Sequence, residues 1–341
     1  MRQRKARNRL LFAMTIANRP FSRLSLNLAL TGLVLLLMTS CHHDNGPTAL
    51  SQAVRTPQGF VELPFGRLPN TNINLEQAYQ FREPLDADSI ELWAYRGGLH
   101  YHPIELSHRC QVFIAAFYKT GDTALLERAE RYARKIMALS KEIDDAVYPS
   151  FDFRFALHSD SSLMFNPVWF SGMAQGELMM VVVRLYEFTG KTVYLDFAHK
   201  LFRGFLRLRR DHDSWVVRLD SLGFYWIEEY PHNTTPGMTL NGFIAAVYGV
   251  YDYYRITRSD EARMIYEMSL TTIKHYLPYF RQKNKASFYC LGHMKPATES
   301  YHALHVSMMR HLYRMTDDPF FEMSAETLEA DGVAAFDKPS P

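Results

Sequence analysis

What the chain lacks narrows its function first. It has no Walker-type phosphate loop, no GxGxxG and no GxSxG, which argues against nucleotide use and against the common serine hydrolases. No His-Glu-x-x-His or other strong metal motif is present, so no metal and no cofactor are expected. His302 and His305, at i and i+3 in YHALH, could ligate a metal from one helix face, but with no further ligand beside them the expected role is capping or core hydrogen bonding. Long apolar runs are also missing. The longest, LNLALTGLVLLLM, falls short of the ~20 residues a membrane-spanning helix needs. Cysteine is scarce: beyond Cys41 only Cys110 and Cys290 occur. An oxidising compartment would permit a Cys110–Cys290 disulfide, and two free buried thiols are the equal alternative.

What charge there is has an uneven distribution. Arg2, Arg4, Lys5, Arg7, Arg9, Arg19 and Arg23 stand without an acid in the first forty residues, and an uncharged run from Leu24 to His43 follows. This resembles an export signal. The run ends in Thr39-Ser40-Cys41, and a small residue before cysteine at that place resembles a bacterial lipoprotein signal. The expectation is a signal over residues 1–41 and a lipid anchor on Cys41 that holds the chain to the membrane, facing the periplasm or the cell exterior. An uncleaved anchor, or a misassigned start ahead of an ordinary signal peptide, is the alternative, because Met38 stands where leucine is usual. Without residues 1–41 the chain keeps 31 Lys and Arg against 36 Asp and Glu, a formal charge of −5. No basic block remains to meet nucleic acid, so an anionic ligand must be met by a local cluster.

Residues 42 to about 70 are rich in proline, glycine and polar residues with no sustained period, and read as a tether that continues in a lead-in to residue 92. From there a punctuation mark recurs. Thr120, Thr189, Thr257 and Thr316, separated by 69, 68 and 59 residues, each close an apolar helix and open another. Each mark is a short turn joining two antiparallel helices. The second helices are amphipathic, with Leu125, Ala129, Tyr132, Ala133 and Ile136 on one face. Four such hairpins predict an all-α fold, an incomplete α/α barrel or toroid over residues 93–325, with a stacked solenoid as runner-up and residues 326–341 as a C-terminal tail. The return connections, about 143–168, 209–239 and 281–300, are long and aromatic, and in a toroid they share one rim.

On that rim, Tyr225 to Phe243 combines two adjacent carboxylates, Glu228 and Glu229, with Tyr225, Trp226 and Tyr230. In an extended segment neighbouring side chains alternate, so only one glutamate can face a site. Burial beside rings raises a carboxylate's pKa toward the range useful for a base. Both glutamates are otherwise ordinary solvated loop charges. Tyrosines Tyr225, Tyr230, Tyr289 and Tyr301 are four of twenty, and spacing alone does not select them.

The order of motifs does. FNPVWFSGMAQGE (165–177), WIEEYPHNTTPGMTLNGF (226–243), GVYDYY (249–254) and YHALH with DDPFF (301–321) resemble the C-terminal catalytic domain of the D-glucuronyl C5-epimerase family, with a weaker likeness around HYHPIEL. The resemblance implies an enzyme, an isomerase that inverts C5 of D-glucuronic acid residues in a uronic-acid-containing polysaccharide, and a homodimer. It implies Glu229 and Tyr301 as the groups that exchange the C5 proton, Tyr230 and Tyr289 as their support, and Asn241 in the site, with Trp169, Gln175, His293 and Lys295 as further substrate-binding candidates. The chemistry is coherent, since the C5 proton is α to a carboxylate and two groups can remove and return it if the developing charge is neutralised. One departure bears on that charge. Gly292 stands where the family has an arginine, and the loop before Asn241 is one residue longer; Lys295, His293 or Arg154 is left to compensate. A uronate polysaccharide lyase, a non-catalytic glycan-binding lipoprotein and a glycoside hydrolase on the same toroid are the alternatives.

Overall fold

The four threonines form four copies of one joint. In the computed structural model, which describes residues 49–336, each is the last residue of a helix. Each donates its hydroxyl to the carbonyl four residues back, on Ala116, Leu185, Tyr253 and Leu312, at 2.6–2.8 Å. Each also accepts the amide two residues on, from Asp122, Lys191, Ser259 and Asp318, at 3.1–3.3 Å. The residue between is left-handed in every case: Gly121, Gly190, Arg258 and Asp317 have φ 74, 67, 55 and 56. One hydroxyl thus satisfies a frayed carbonyl and opens the next turn, which makes the reversal short.

The hairpins so made are α2 (Pro103–Thr120) with α3 (Thr123–Leu139), α4 (Gly172–Thr189) with α5 (Thr192–Gly204), α6 (Leu240–Thr257) with α7 (Asp260–Phe280), and α8 (Glu299–Thr316) with α9 (Pro319–Phe336); a single turn, α1 (Glu76–Tyr79), precedes them. The first helix of each pair lies inside. Helix α4 packs on α2 and on α6, and α6 packs on α8. Helices α4 and α6 are buried almost all round, whereas α3 and α5 bury one stripe, Leu125, Ala129, Tyr132, Ala133 and Ile136 in α3. The first and last inner helices do not close on each other comparably. This is the incomplete α/α barrel, and neighbouring inner helices side by side in a ring replace the stacked solenoid.

Two boundaries differ from expectation. The segment from residue 49 is no tether. Leu50, Leu63, Phe65 and Leu68 are core residues, Phe60 sits among Tyr251, Tyr254 and Tyr266 at ring distances of 4.8–6.0 Å, and the backbone of Val61, Leu63 and Pro69 bonds to Tyr251 Oη and Arg184 Nη2. Single apolar residues plugging gaps leave no periodic trace, which is why composition reads as a linker. Nor does the domain end at 325, since α9 continues to Phe336 and buries Leu328 and Asp331, the latter paired to Arg281 at 2.6 Å. The expected signal over residues 1–41, with Cys41, and residues 337–341 lie outside the described residues. Both thiols are free and buried, Cys110 against Ala129 and Cys290 on the rim, so the disulfide alternative falls away.

The return connections fold into two-stranded hairpins on one rim. Strands β1 (Trp93–Tyr95) and β2 (Gly98–His100) pair, as do β3 (Lys141–Ile143) with β4 (Ala146–Tyr148), β5 (Ser150–Phe151) with β8 (Trp169–Phe170), and β6 (Phe155–Ala156) with β7 (Met164–Phe165). The later connections supply β9 (Val217–Leu219) with β10 (Tyr225–Ile227), and β11 (Phe288–Cys290) with β12 (Lys295–Pro296). They meet through ring contacts and backbone pairing, with Phe155 stacked on Tyr230 at 5.6 Å and Thr239 bridged to Cys290. Among the described residues no helix is long and apolar enough to cross a membrane.

Candidate active site

Past β10 the chain stays extended, and the two glutamates diverge as strand alternation requires. Glu228 turns inward. It is fully buried and accepts Arg218 Nε and the Met238 amide, both at 2.8 Å, so its work is to pin the 231–239 loop to the β9–β10 hairpin. Glu229 turns outward onto the first turn of α6, where glycine at 242 makes room for it: a Cβ there would stand 2.2 Å from Glu229 Oε2. The Asn-Gly-Phe sequence therefore has a steric reason at its middle residue.

Glu229 is 4% exposed. Burial pushes its carboxyl up to about 7, against hydrogen bonds from Tyr230 and Tyr289 that favour the carboxylate, with Glu228 adding a little repulsion. Oxygen Oε2 is buried without a hydrogen-bond partner. Orphaned oxygens of this kind cost stability and gather at functional sites. The same burial, with Glu229 beside them, holds the Tyr230 and Tyr289 phenols well above their ordinary value, and Tyr301 is shifted the same way. None of the three is a free-standing phenolate. Tyr289 and Tyr301 meet edge to face at 4.9 Å, and Tyr301 remains 40% exposed.

These phenols line a cleft of about 230 Å³ whose walls also include Phe155, His158, Lys295 and Thr298. The structure thus brings Glu229, Tyr230, Tyr289, Tyr301 and Lys295 together, with Glu229 behind the phenols rather than in the wall itself. Asn241 lies nearby at the start of α6, buried, with Oδ1 unpartnered. Trp169 and Gln175 do not reach the cleft, contrary to expectation. Trp169 donates to Phe153 O at 2.9 Å and stacks on Phe151 at 3.9 Å. Gln175 is fully buried and donates to Val147 O and Leu201 O at 2.7 and 2.6 Å. Each backs the site from within the core. His293 is not among the cleft residues; its Nδ1 lies 3.6 Å from Cys290 Sγ. His302 and His305 are core residues on Ser287 Oγ at 2.9 and 2.8 Å, the non-metal role. Sequence reasoning missed Phe155, His158 and Thr298, which carry no motif.

The structure also explains glycine at 292. A Cβ there would stand 1.9 Å from Pro236 O, and the Gly292 and Leu291 amides bond to Gly237 O and Met238 O at 3.1 and 3.2 Å. The loop before Asn241, through Pro236 O and Gly237 O, occupies the space a side chain at 292 would need. Arg154 is exposed, bonds Asn166 Oδ1 at 3.1 Å and is not among the cleft residues. Lys295 is the cation on the wall.

The D-glucuronyl C5-epimerase C-terminus family model matches residues 144–329. The D-glucuronyl C5-epimerase of Caenorhabditis elegans is 27% identical over 187 residues, 49% of this chain, and the match spans 29% of that protein's length. An uncharacterized protein of Methanocaldococcus jannaschii is 24% identical over 240 residues, 66% of this chain and 75% of its own. Among solved structures, the GH76A alpha-1,6-mannanase of Salegentibacter sp. HEL1_6 superposes with a TM-score of 0.50 at 14% identity, over 80% of this chain and 70% of that one. At such identity this is a likeness of fold.

Proposed function

The chain belongs to the D-glucuronyl C5-epimerase family, and from that membership we propose that it inverts C5 of uronic acid residues, glucuronic acid first among them, in a polysaccharide. One observation carries the reading: a buried carboxyl poised near neutrality receives hydrogen bonds from two phenols of the cleft wall and has a half-exposed third phenol beside them. A group that titrates near the working pH is suited to take and release protons.

The geometry supports a relay on the first face. Tyr230 and Tyr289 line the cleft and donate to Glu229. As the C5 proton moves to a phenol oxygen, that phenol passes its own proton to the carboxylate, ending neutral while Glu229 ends protonated. No phenolate accumulates, which fits phenols held far above their ordinary value. Tyr301 delivers its proton to the other face of C5 and is recharged from solvent, while Glu229 releases the proton it received to solvent, which resets both faces. Lys295 meets the substrate carboxylate and neutralises the charge that grows as C5 loses its proton. Because different groups remove and return the proton, the C5 of the product carries a solvent proton.

The test is to incubate uronate polysaccharides with the protein in deuterated water, following C5 by NMR and the absorbance of a C4–C5 double bond. Deuterium at C5 with chain length kept is expected. Unsaturated ends would assign a lyase instead, and no change on any uronate polymer would overturn the reading. Tyr301→Phe and Glu229→Gln are each expected to remove exchange while the fold survives; full activity in both sinks the assignment.

A further inference from the structure

Behind the far wall of the cleft, three side chains that the proton chemistry does not use converge. Cys290 is at the end of β11, His293 is in the turn to β12, and His158 comes from a short 3-10 turn, Leu157–Ser159, in the connection between α3 and α4. His158 Nε2 lies 3.3 Å from Cys290 Sγ, His293 Nδ1 lies 3.6 Å from it, and the three donor atoms all fall within 4.8 Å of one another. A tetrahedral zinc-class ion with bonds of ~2.3 Å to sulfur and ~2.0–2.1 Å to nitrogen sets its ligands about 3.5 Å apart. Both sulfur–nitrogen pairs therefore stand at coordination spacing, and a small approach of the two imidazoles completes the set.

The backbone around the cluster is bent to hold it. His158, Ser159 and Met294 all have positive φ, 56, 61 and 48, a region that residues with a side chain enter at a cost and keep only where the surroundings require it. Two segments 132 residues apart are thus both turned sharply to bring imidazole and thiol together. Cys290 is buried, and the two histidines are partly buried, so the cluster is shielded and still reachable from the rim. His232, Glu228 and Asp160 face His293, and His293, Lys295 and Asp160 face His158.

We propose that Cys290, His158 and His293 bind one zinc-class divalent cation. Cys290 gives up its thiol proton and binds as thiolate, both imidazoles bind through a neutral nitrogen, and one proton is released to solvent per ion. Three protein ligands leave a fourth position for an oxygen ligand, the arrangement of zinc sites that meet substrate rather than merely hold structure. The thiolate cancels one of the two charges and leaves the site net cationic. Because His158 is also part of the cleft wall beside Tyr289 and Lys295, the ion puts positive charge where the substrate carboxylate needs it, in a rim that has no room for a side chain at 292. This role rests on the epimerase reading; the site itself does not.

Cobalt(II), titrated into the chelator-treated full chain, tests the site. One equivalent is expected to give tetrahedral d–d absorption with a thiolate-to-cobalt charge-transfer band, bleached by added zinc. Cys290→Ser should abolish the charge-transfer band, and His293→Ala, on an open turn, should weaken affinity at least about tenfold, a loss that even indirect support of a metal ligand can cause. No stoichiometric cobalt in the wild type, or a band that survives Cys290→Ser, overturns the site. The role is read separately from C5 exchange of a uronate glycan by zinc-loaded and metal-free protein. A rise in KM of about tenfold or more on metal removal is expected, and equal KM overturns the role. Exchange in neither form overturns the role and the epimerase reading together, while the cobalt spectrum still decides the site.

Discussion

Glu229 carries the site at the scale of single residues, and its environment makes two measurements decisive. Its carboxyl is raised from 4.5 to about 7 by burial. Below pH 4.5 the folded and unfolded chains both hold the proton and nothing is lost. As pH rises from 4.5 to about 7 the unfolded chain ionises first, so stability falls, and above that the penalty is constant at about 3 kcal/mol, taking ~1.4 kcal/mol per pKa unit. Glu229→Gln should therefore match the wild type at pH 4 and exceed it at pH 8 in urea unfolding; a difference independent of pH would contradict the burial account. If Glu229 is the base of the proposed reaction, exchange at C5 should in turn rise with pH to a plateau above about 7, where that carboxyl is ionised. Gly242→Ala separates packing from chemistry, because a methyl 2.2 Å from Oε2 displaces the carboxyl. A loss of about 100-fold in exchange, the cost of roughly an ångström of misplacement, is expected while the helix gains from alanine. Gly292→Arg should destabilise the fold rather than restore a guanidinium, and an arginine variant of wild-type stability would show that the Pro236 contact yields. Sequence spacing could not have chosen among these side chains, because burial and orphaned oxygens arise only when the rim assembles. Motif order points to Glu229, Tyr230, Tyr289 and Tyr301, which the fold gathers at one cleft, and also to Trp169 and Gln175, which share one motif and lie in the core behind it.

Secondary elements were the most legible level, for a local reason. The threonine joint is completed by atoms within six residues of one another, a carbonyl four back and an amide two on, so its signature survives in a single sequence. The rim strands are not all local in this sense. Strand β5 pairs with β8 across residues 152–168, around the smaller β6–β7 pair, and that partner cannot be inferred before the helices place it. The joint also makes a graded prediction. Thr316 is 4% exposed, whereas Thr120 is exposed. A valine at 316 leaves the Leu312 carbonyl and the Asp318 amide without their partner in a dry place, which should cost about 2–3 kcal/mol, and a valine at 120, where water can substitute, about 1 kcal/mol or less. Equal losses by urea unfolding would show that the hydroxyl's bonds are not what the position provides.

For the whole molecule, the least legible part was the segment before the barrel, and its packing alters what an anchor would do. Residues 49–69 thread Phe60, Leu63, Phe65 and Leu68 into the helical layers and tie to Tyr251 and Arg184. Isolated plugs between prolines look like a linker because their partners are far away in sequence. We propose that lipid on Cys41 holds the protein at the cell envelope, with the packed part of the barrel beginning by Leu50 rather than after a tether to about residue 70. Cys41→Ser should end incorporation of labelled palmitate and move the protein from the membrane to the soluble fraction. Exchange on a short soluble uronate glycan should be unchanged per molecule, because the cleft lies wholly within the barrel and its rim. Labelling that persists in Cys41→Ser rules out the lipid anchor at that cysteine, and lost exchange in an otherwise folded variant would mean that the anchor does more than hold the enzyme in place.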